Sequence, residues 1–219
     1  MDAILEPLVR SPKLNLYLRD LEHLASEEQV RRSRFYDEMS EQRKMEFING
    51  EIIMHSPVKI EHEFASSSLL VLLRAFVMRR RMGYVGHEKM LVTLTRNDYE
   101  PDVCYWRKEV AATFEKGQMK FPAPDFVAEV LSASTKEQDY GVKFQDYEAH
   151  GVREYWIVNA QEELVEQYAL FDGKFSLLKK TDSGSITSRA VEGFTIPIRA
   201  LFDEDDHLAA LEKLILSAP

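Results

Sequence analysis

Cysteine is nearly absent from this sequence: Cys104 is the single one in 219 residues. No intrachain disulfide can form, and a reducing compartment is the default setting. No apolar run approaches the roughly 18 residues that a membrane span requires. The first residues lack the basic-then-apolar layout of a secretion signal, so the sequence reads as cytoplasmic. There is no internal repeat, no low-complexity tract and no obvious linker. The six histidines form no HxH or HExxH pattern, which argues against zinc. A Walker loop, a GxGxxG turn and a GxSxG elbow are also missing, leaving nothing to support nucleotide binding or acyl chemistry. Excess positive charge is lacking too. A formal net charge of −9 works against nucleic-acid binding driven by overall charge, which needs clustered Lys and Arg. Two short clusters remain, Arg31-Arg32-Ser33-Arg34 and Arg79-Arg80-Arg81. Both read as exposed, solvated helix surface, with a local phosphate-binding patch as the alternative.

What is present is an ordinary globular balance, 45% hydrophobic and 30% charged, in a chain long enough to bury a sizeable core. The reading is one domain over 44–202, preceded by a helical arm over 1–43 and closed by a helix over 203–219. Leu14, Leu18, Leu21 and Leu24 recur at helical spacing in the arm, and Phe35 and Tyr36 are expected to dock it on the body. Asn49-Gly50 between Met45–Ile48 and Glu51–Met54 signals a hairpin, because both turn residues tolerate positive φ. That turn pairs Glu46 with Ile53 and Ile48 with Glu51, placing all four on one face. A helix is expected from about Ile60 to Met82 with Gly83 as its stop, then strands over 85–94, 102–106 and 126–131. Ser134 and Glu137 fit a capping box for a helix running to about His150. Strands over 154–158, 164–170, 175–179 and 186–191 follow. The order predicts an α/β fold, a mixed central sheet flanked by helices.

Within that layout one residue is out of place. Glu129 lies inside Phe126–Leu131, an otherwise apolar strand. A lone buried carboxylate is costly, so such groups are paired or bound to a cation. Asp102, at the start of a nearby strand, offers a second acid, and two carboxylates suit a hard divalent ion such as Mg²⁺. The alternative is a salt-bridged carboxylate with Lys143 as its partner. Asp139, Lys143 and Tyr147 fall at i, i+4 and i+8 on one helical face. Lys143 can therefore reach the strand's acid or pair with Asp139 on a wet surface. Asp98, Glu100 and Asp125 are read as turn residues, and Glu88 as a weaker site candidate.

The blocks EFINGEI, SPVKIEH, EPDVCYW, PDFVAEVLSAST and DYGVKFQDYEAHGVREYWIVN resemble, in order, the bacterial Uma-type family of restriction-endonuclease-like proteins in the PD-(D/E)xK nuclease superfamily. The resemblance spans roughly 44–202. It implies a restriction-endonuclease-like core with Asp102 and Glu129 as metal-binding carboxylates, joined by the main-chain carbonyl of Val130. The superfamily's lysine stands two residues after the second acid, and this sequence has Leu131 there. In the Uma-type family the lysine comes from the following helix, where Lys143 matches. Glu46 matches the acid of the family's hairpin block and His62 a histidine near the start of its first long helix; each is either part of the site or a structural residue. The implied activity is Mg²⁺-dependent hydrolysis of phosphodiester bonds in DNA, with Mn²⁺ as a substitute metal; a homodimer is expected besides. The competing expectation is an inactive nuclease-like module that binds nucleic acid or a protein partner. A third reading is an interaction protein dimerised through the arm and the closing helix.

Overall fold

Asn49 and Gly50 both adopt positive φ, at 52° and 85°, and so close the tight turn between β1 (Met45–Ile48) and β2 (Glu51–Met54). The register is Glu46↔Ile53 and Ile48↔Glu51, as the two-residue loop demands. Upstream lie a short helix α1 (Leu5–Val9) and the 25-residue α2 (Leu14–Glu38). This computed structural model describes residues 5–39 and 43–216; the outermost parts of the expected arm and closing helix lie outside the described residues. Phe35 is fully buried and packs against Phe47 with ring centroids 5.8 Å apart, so the arm docks where expected. The first half of α2 does not: Leu16, Leu18, Leu21 and Leu24 remain exposed.

After α3 (Ile60–Arg80) come β3 (Gly83–His87), β4 (Leu91–Thr93), β5 (Asp98–Tyr99) and β6 (Val103–Arg107). A one-turn helix α4 (Lys108–Ala111), β7 (Lys120–Phe121) and β8 (Phe126–Val130) follow. Helices α5 (Lys136–Tyr140) and α6 (Val142–Ala149) lead into β9 (Glu154–Asn159), β10 (Leu164–Phe171) and β11 (Lys174–Thr181). Two short strands, β12 (Ser185–Thr187) and β13 (Thr195–Pro197), and the helix α7 (Glu204–Leu216) complete the described chain. Six strands form the main sheet in the order β11-β10-β9-β8-β6-β3, and five form a smaller sheet, β2-β1-β5-β4-β7. Only β8 and β9 run parallel in the main sheet.

Strand alternation divides the sheet's side chains between two cores. Phe126, Ala128 and Val130 of β8 join Leu69, Leu72, Leu73 and Phe76 of α3 and Leu214 of α7 on one face. Val127 joins Cys104, Trp106, Tyr147 and Ile157 on the other. By the same alternation Glu129 points toward α6, and this is what brings it to Lys143.

Several local expectations need correction. The 85–94 strand is two strands, broken where Glu88 and Lys89 take positive φ of 29° and 47°. Helix α3 ends at Arg80 and is capped by Arg81, left-handed at φ 55°, rather than running to Met82 with Gly83 as its stop. Gly83 is required for another reason: a Cβ there would stand 2.0 Å from the Trp106 carbonyl oxygen. The 134–150 helix breaks at Gly141, where a Cβ would meet the Glu137 carbonyl at 2.6 Å. No capping box forms at its start; Ser132 Oγ accepts from Thr135 N–H instead. The 186–191 strand is shorter than expected: β12 ends at Thr187 and pairs only with β13, outside the main sheet. Beyond it Glu154 accepts the N–H groups of Arg189 and Ala190. Arg32 is also not solvated. Its guanidinium is buried, donating to Asp98 Oδ2 at 2.6 Å and to the carbonyls of Leu94 and Thr95. Asp98 thus anchors the arm.

Candidate functional site

Asp102 immediately precedes β6, and Glu129 is the fourth residue of β8, its antiparallel neighbour. Pairing places the two acids at the same end of the sheet, where the Asp102 N–H lies 3.4 Å from Glu129 Oε2. Both are buried, and both border a cavity of about 1040 Å³ that Val130, Lys143 and His62 also line. Each carboxylate oxygen is held. Lys44 Nζ donates to Asp102 Oδ1 at 2.6 Å. The Val130 N–H donates to Oδ2 at 2.8 Å, with His62 Nε2 3.3 Å from the same oxygen. Glu129 Oε1 accepts from Lys143 Nζ at 3.0 Å and from the Tyr147 hydroxyl at 3.1 Å.

Lys143 is the centre of a second layer. Its ammonium is 3.0 Å from Glu46 Oε1 and 3.4 Å from Asp139 Oδ1 as well as 3.0 Å from Glu129. The wet Asp139 pair expected as the alternative for Lys143 is not found, since Asp139 is fully buried. Glu46 also accepts from the Glu100 N–H at 2.9 Å, and its other oxygen is 3.0 Å from His55 Nε2. All five candidate side chains, Asp102, Glu129, Lys143, Glu46 and His62, therefore meet in one network. Glu88 lines the cavity rim. Glu100 accepts the Met45 N–H, and Asp125 binds the Arg107 guanidinium; both brace the fold.

Four carboxylates face two ammonium groups here, and burial sorts them. Burial raises every acid, but at Asp102 the charges of Lys44 and His62 outweigh it and hold the carboxyl well below its usual range. Lys143 and His55 do the same for Glu46, holding it near 2. Glu129 goes the other way: burial, with Asp102, Asp139 and Glu46 nearby, overcomes Lys143 and pushes it up to about 8. Asp139 is raised for the same reasons. Burial pulls His62 down, yet its contact with Asp102 leaves it above the ordinary imidazole value.

Lys44 and His55 were missed by sequence reasoning. Lys44 had a signal, a lysine directly before the hairpin that carries Glu46, but nothing in its spacing names Asp102 as its partner. Among the described residues no cluster of three or more His, Cys, Asp or Glu has metal-holding geometry. That still fits magnesium, which uses one or two carboxylates and completes its shell with water and phosphate oxygens. The donors are hard oxygens, and Asp102 already gathers positive charge from Lys44 and His62.

Residues 30–199 match the family Uma2, described as "Putative restriction endonuclease". The chain belongs to the Uma2 family. Among solved structures, a putative nuclease belonging to DUF820 from Anabaena variabilis superposes with a TM-score of 0.64 at 18% identity, covering 81% of this chain and 96% of that one. This likeness gives the Uma2 chain a restriction-endonuclease-like fold, as its sequence blocks imply. The type IIG restriction endonuclease BpuSI aligns with 74% of this chain and 17% of its own length, at 13% identity and a TM-score of 0.37. No curated protein matches the chain. Among the described residues no helix is long and apolar enough to cross a membrane.

Proposed function

We propose that this Uma2 chain is a divalent-metal-dependent endonuclease that hydrolyses phosphodiester bonds in DNA. The observation that carries the reading is the convergence of Asp102 and Glu129, from adjacent strands, on one cavity beside Lys143. Asp102 and Glu129 would hold Mg²⁺ or Mn²⁺, with the Val130 carbonyl and His62 as further donors. When bound, such an ion lowers the pKa of coordinated water and polarises phosphoryl oxygens. Lys44, which donates to Asp102 Oδ1 and lines the same cavity, would be placed to meet a phosphate oxygen of the substrate. Lys143 already has three acidic neighbours, so its first role is to fix Glu129 and Glu46. It reaches a water or the developing negative charge on phosphorus by releasing Asp139, the most distant of the three. Tyr147 and the Val130 N–H keep the two metal-binding carboxylates from rotating.

The test is a cleavage assay on plasmid and linear duplex DNA with Mg²⁺ or Mn²⁺, comparing wild type with Asp102→Ala and Lys143→Ala. Metal-dependent cutting lost in Asp102→Ala supports the proposal, and cutting unchanged in that variant sinks it. A non-cutting nucleic-acid or protein-binding module is the second reading, favoured by Leu131 at the usual lysine position and by the saturation of Lys143 with acids. It predicts binding without turnover under every metal tried. A homodimer in the cytoplasm is part of the proposal; the exposed leucines of α2 supply its contact face, and sedimentation with Leu21→Glu would separate monomer from dimer.

A further inference from the structure

At the end of the main sheet opposite Asp102 and Glu129 lies a second cavity, of about 680 Å³. Topology builds it. Strand β6 leaves Asp102 and ends at Arg107, roughly 16 Å away for five residues of extended chain, while Arg153 precedes β9 where Phe126 pairs with Glu154. Four cationic side chains line the cavity: Arg107, Lys108, Arg153 and Arg189. Glu109 and Glu192 are the acids of the lining. Arg107 is committed to the buried Asp125 and to Glu109. Lys108, Arg153 and Arg189 are exposed and form no ion pair among the described residues. Arg189 is also preset: its backbone N–H binds Glu154 Oε2 at 2.8 Å, and its guanidinium lies 5.3 Å from the centre of the Phe171 ring.

The Arg79-Arg80-Arg81 cluster ends α3 at this same pole. Met82, directly after it, lines the cavity and accepts from the Tyr105 hydroxyl. Gly193 of the cavity wall lies against Phe76, on whose ring Arg80 stacks at 4.0 Å. A chain with a net charge of −9 therefore concentrates cations around one concavity distant from the metal-binding acids. Clustered Lys and Arg are the electrostatic signature of a phosphate-binding surface.

We infer that this pole is a second, non-cleaving nucleic-acid site that holds a phosphodiester backbone through Lys108, Arg153 and Arg189. The inference rests on the nuclease reading only in taking nucleic acid, rather than another polyanion, as the ligand. It acts without a divalent metal, and this separates the two claims experimentally. Binding of a short fluorescein-labelled DNA duplex is followed by anisotropy in EDTA over a range of salt, with circular dichroism to verify folding. Wild type and Arg10→Gln, a control at an exposed cation directly after α1, bind alike. Arg153→Gln/Arg189→Gln binds about tenfold more weakly, and its slope of log K against log salt falls by about 1.8, the loss of two phosphate contacts at about 0.9 each. Equal binding by the double variant overturns the inference. So does a loss in Arg10→Gln as large as in the double variant, or a wild type that binds inorganic pyrophosphate but no duplex. Absence of metal-dependent cleavage with the arginine effect intact would remove the nuclease reading and leave this site standing.

Discussion

Replacing Lys143 with methionine should expose how the candidate site is held together. Lys143 is 1% exposed and sits within 3.0–3.4 Å of Glu46, Glu129 and Asp139. Methionine keeps most of the stem's volume but removes the charge, leaving three buried acids without their common counter-ion. Removing one partner of a buried ion pair costs about 3–5 kcal/mol, and the upper half applies where several acids depend on one cation. For a chain of this size the loss lowers Tm by roughly 8–20 °C, at about 2–4 °C per kcal/mol. The effect must depend on pH. Glu129 already titrates near 8 and Asp139 is also raised, so the folded state holds protons that the unfolded chain has released. Such groups contribute stability below their unfolded pKa and lose it as pH rises through the folded value. Without Lys143 both acids move further up, so the variant's deficit is larger at pH 8.5 than at pH 5.5. Urea denaturation of both proteins at the two pH values measures it. A deficit under about 1 kcal/mol, or one equal at both pH values, would refute the buried charge network described above.

Arg32→Ala removes the cation that Asp98 and the Leu94 and Thr95 carbonyls share; it should cost about 3–5 kcal/mol by urea denaturation, while Arg31→Ala on the same helix costs under about 1 kcal/mol. Divalent-cation binding should release close to one proton per ion below pH 8. Glu129 holds its proton up to about that pH, and a carboxylate must lose it to coordinate. Titration calorimetry in two buffers of different ionisation enthalpy reads the release directly, and apparent affinity should rise with pH up to about 8.

Much of the site was legible because strand physics leaves little freedom. Glu129 in an apolar strand had to find a cation, and alternation sent it to the face where α6 packs. Asp139, Lys143 and Tyr147 stayed on one face even though Gly141 splits the helix, since the break falls between Asp139 and Lys143 without rotating them apart. Resemblance, not spacing, selected Glu46 and His62, and both lie in the network. What escaped was long-range. Lys44 meets Asp102 across 58 residues of sequence, and Arg32 meets Asp98 across 66; no local pattern encodes such partners. The grouping of Arg107, Arg153 and Arg189 likewise depends on long-range contacts, the pairing of β6 and β9 with β8 and the hold of Glu154 on the Arg189 N–H. Helix breaks at Gly141 and Arg81 escaped because periodicity continues through them.

The most direct test of the metal-dependent reading is calorimetric titration of Mg²⁺ and Mn²⁺ into wild type, Asp102→Ala and Glu129→Ala, each verified as folded, with and without a DNA oligomer. The account predicts one cation site in the wild type that is lost in both variants. A wild type that binds neither ion even with DNA present, or variants that bind as tightly as wild type, would contradict it.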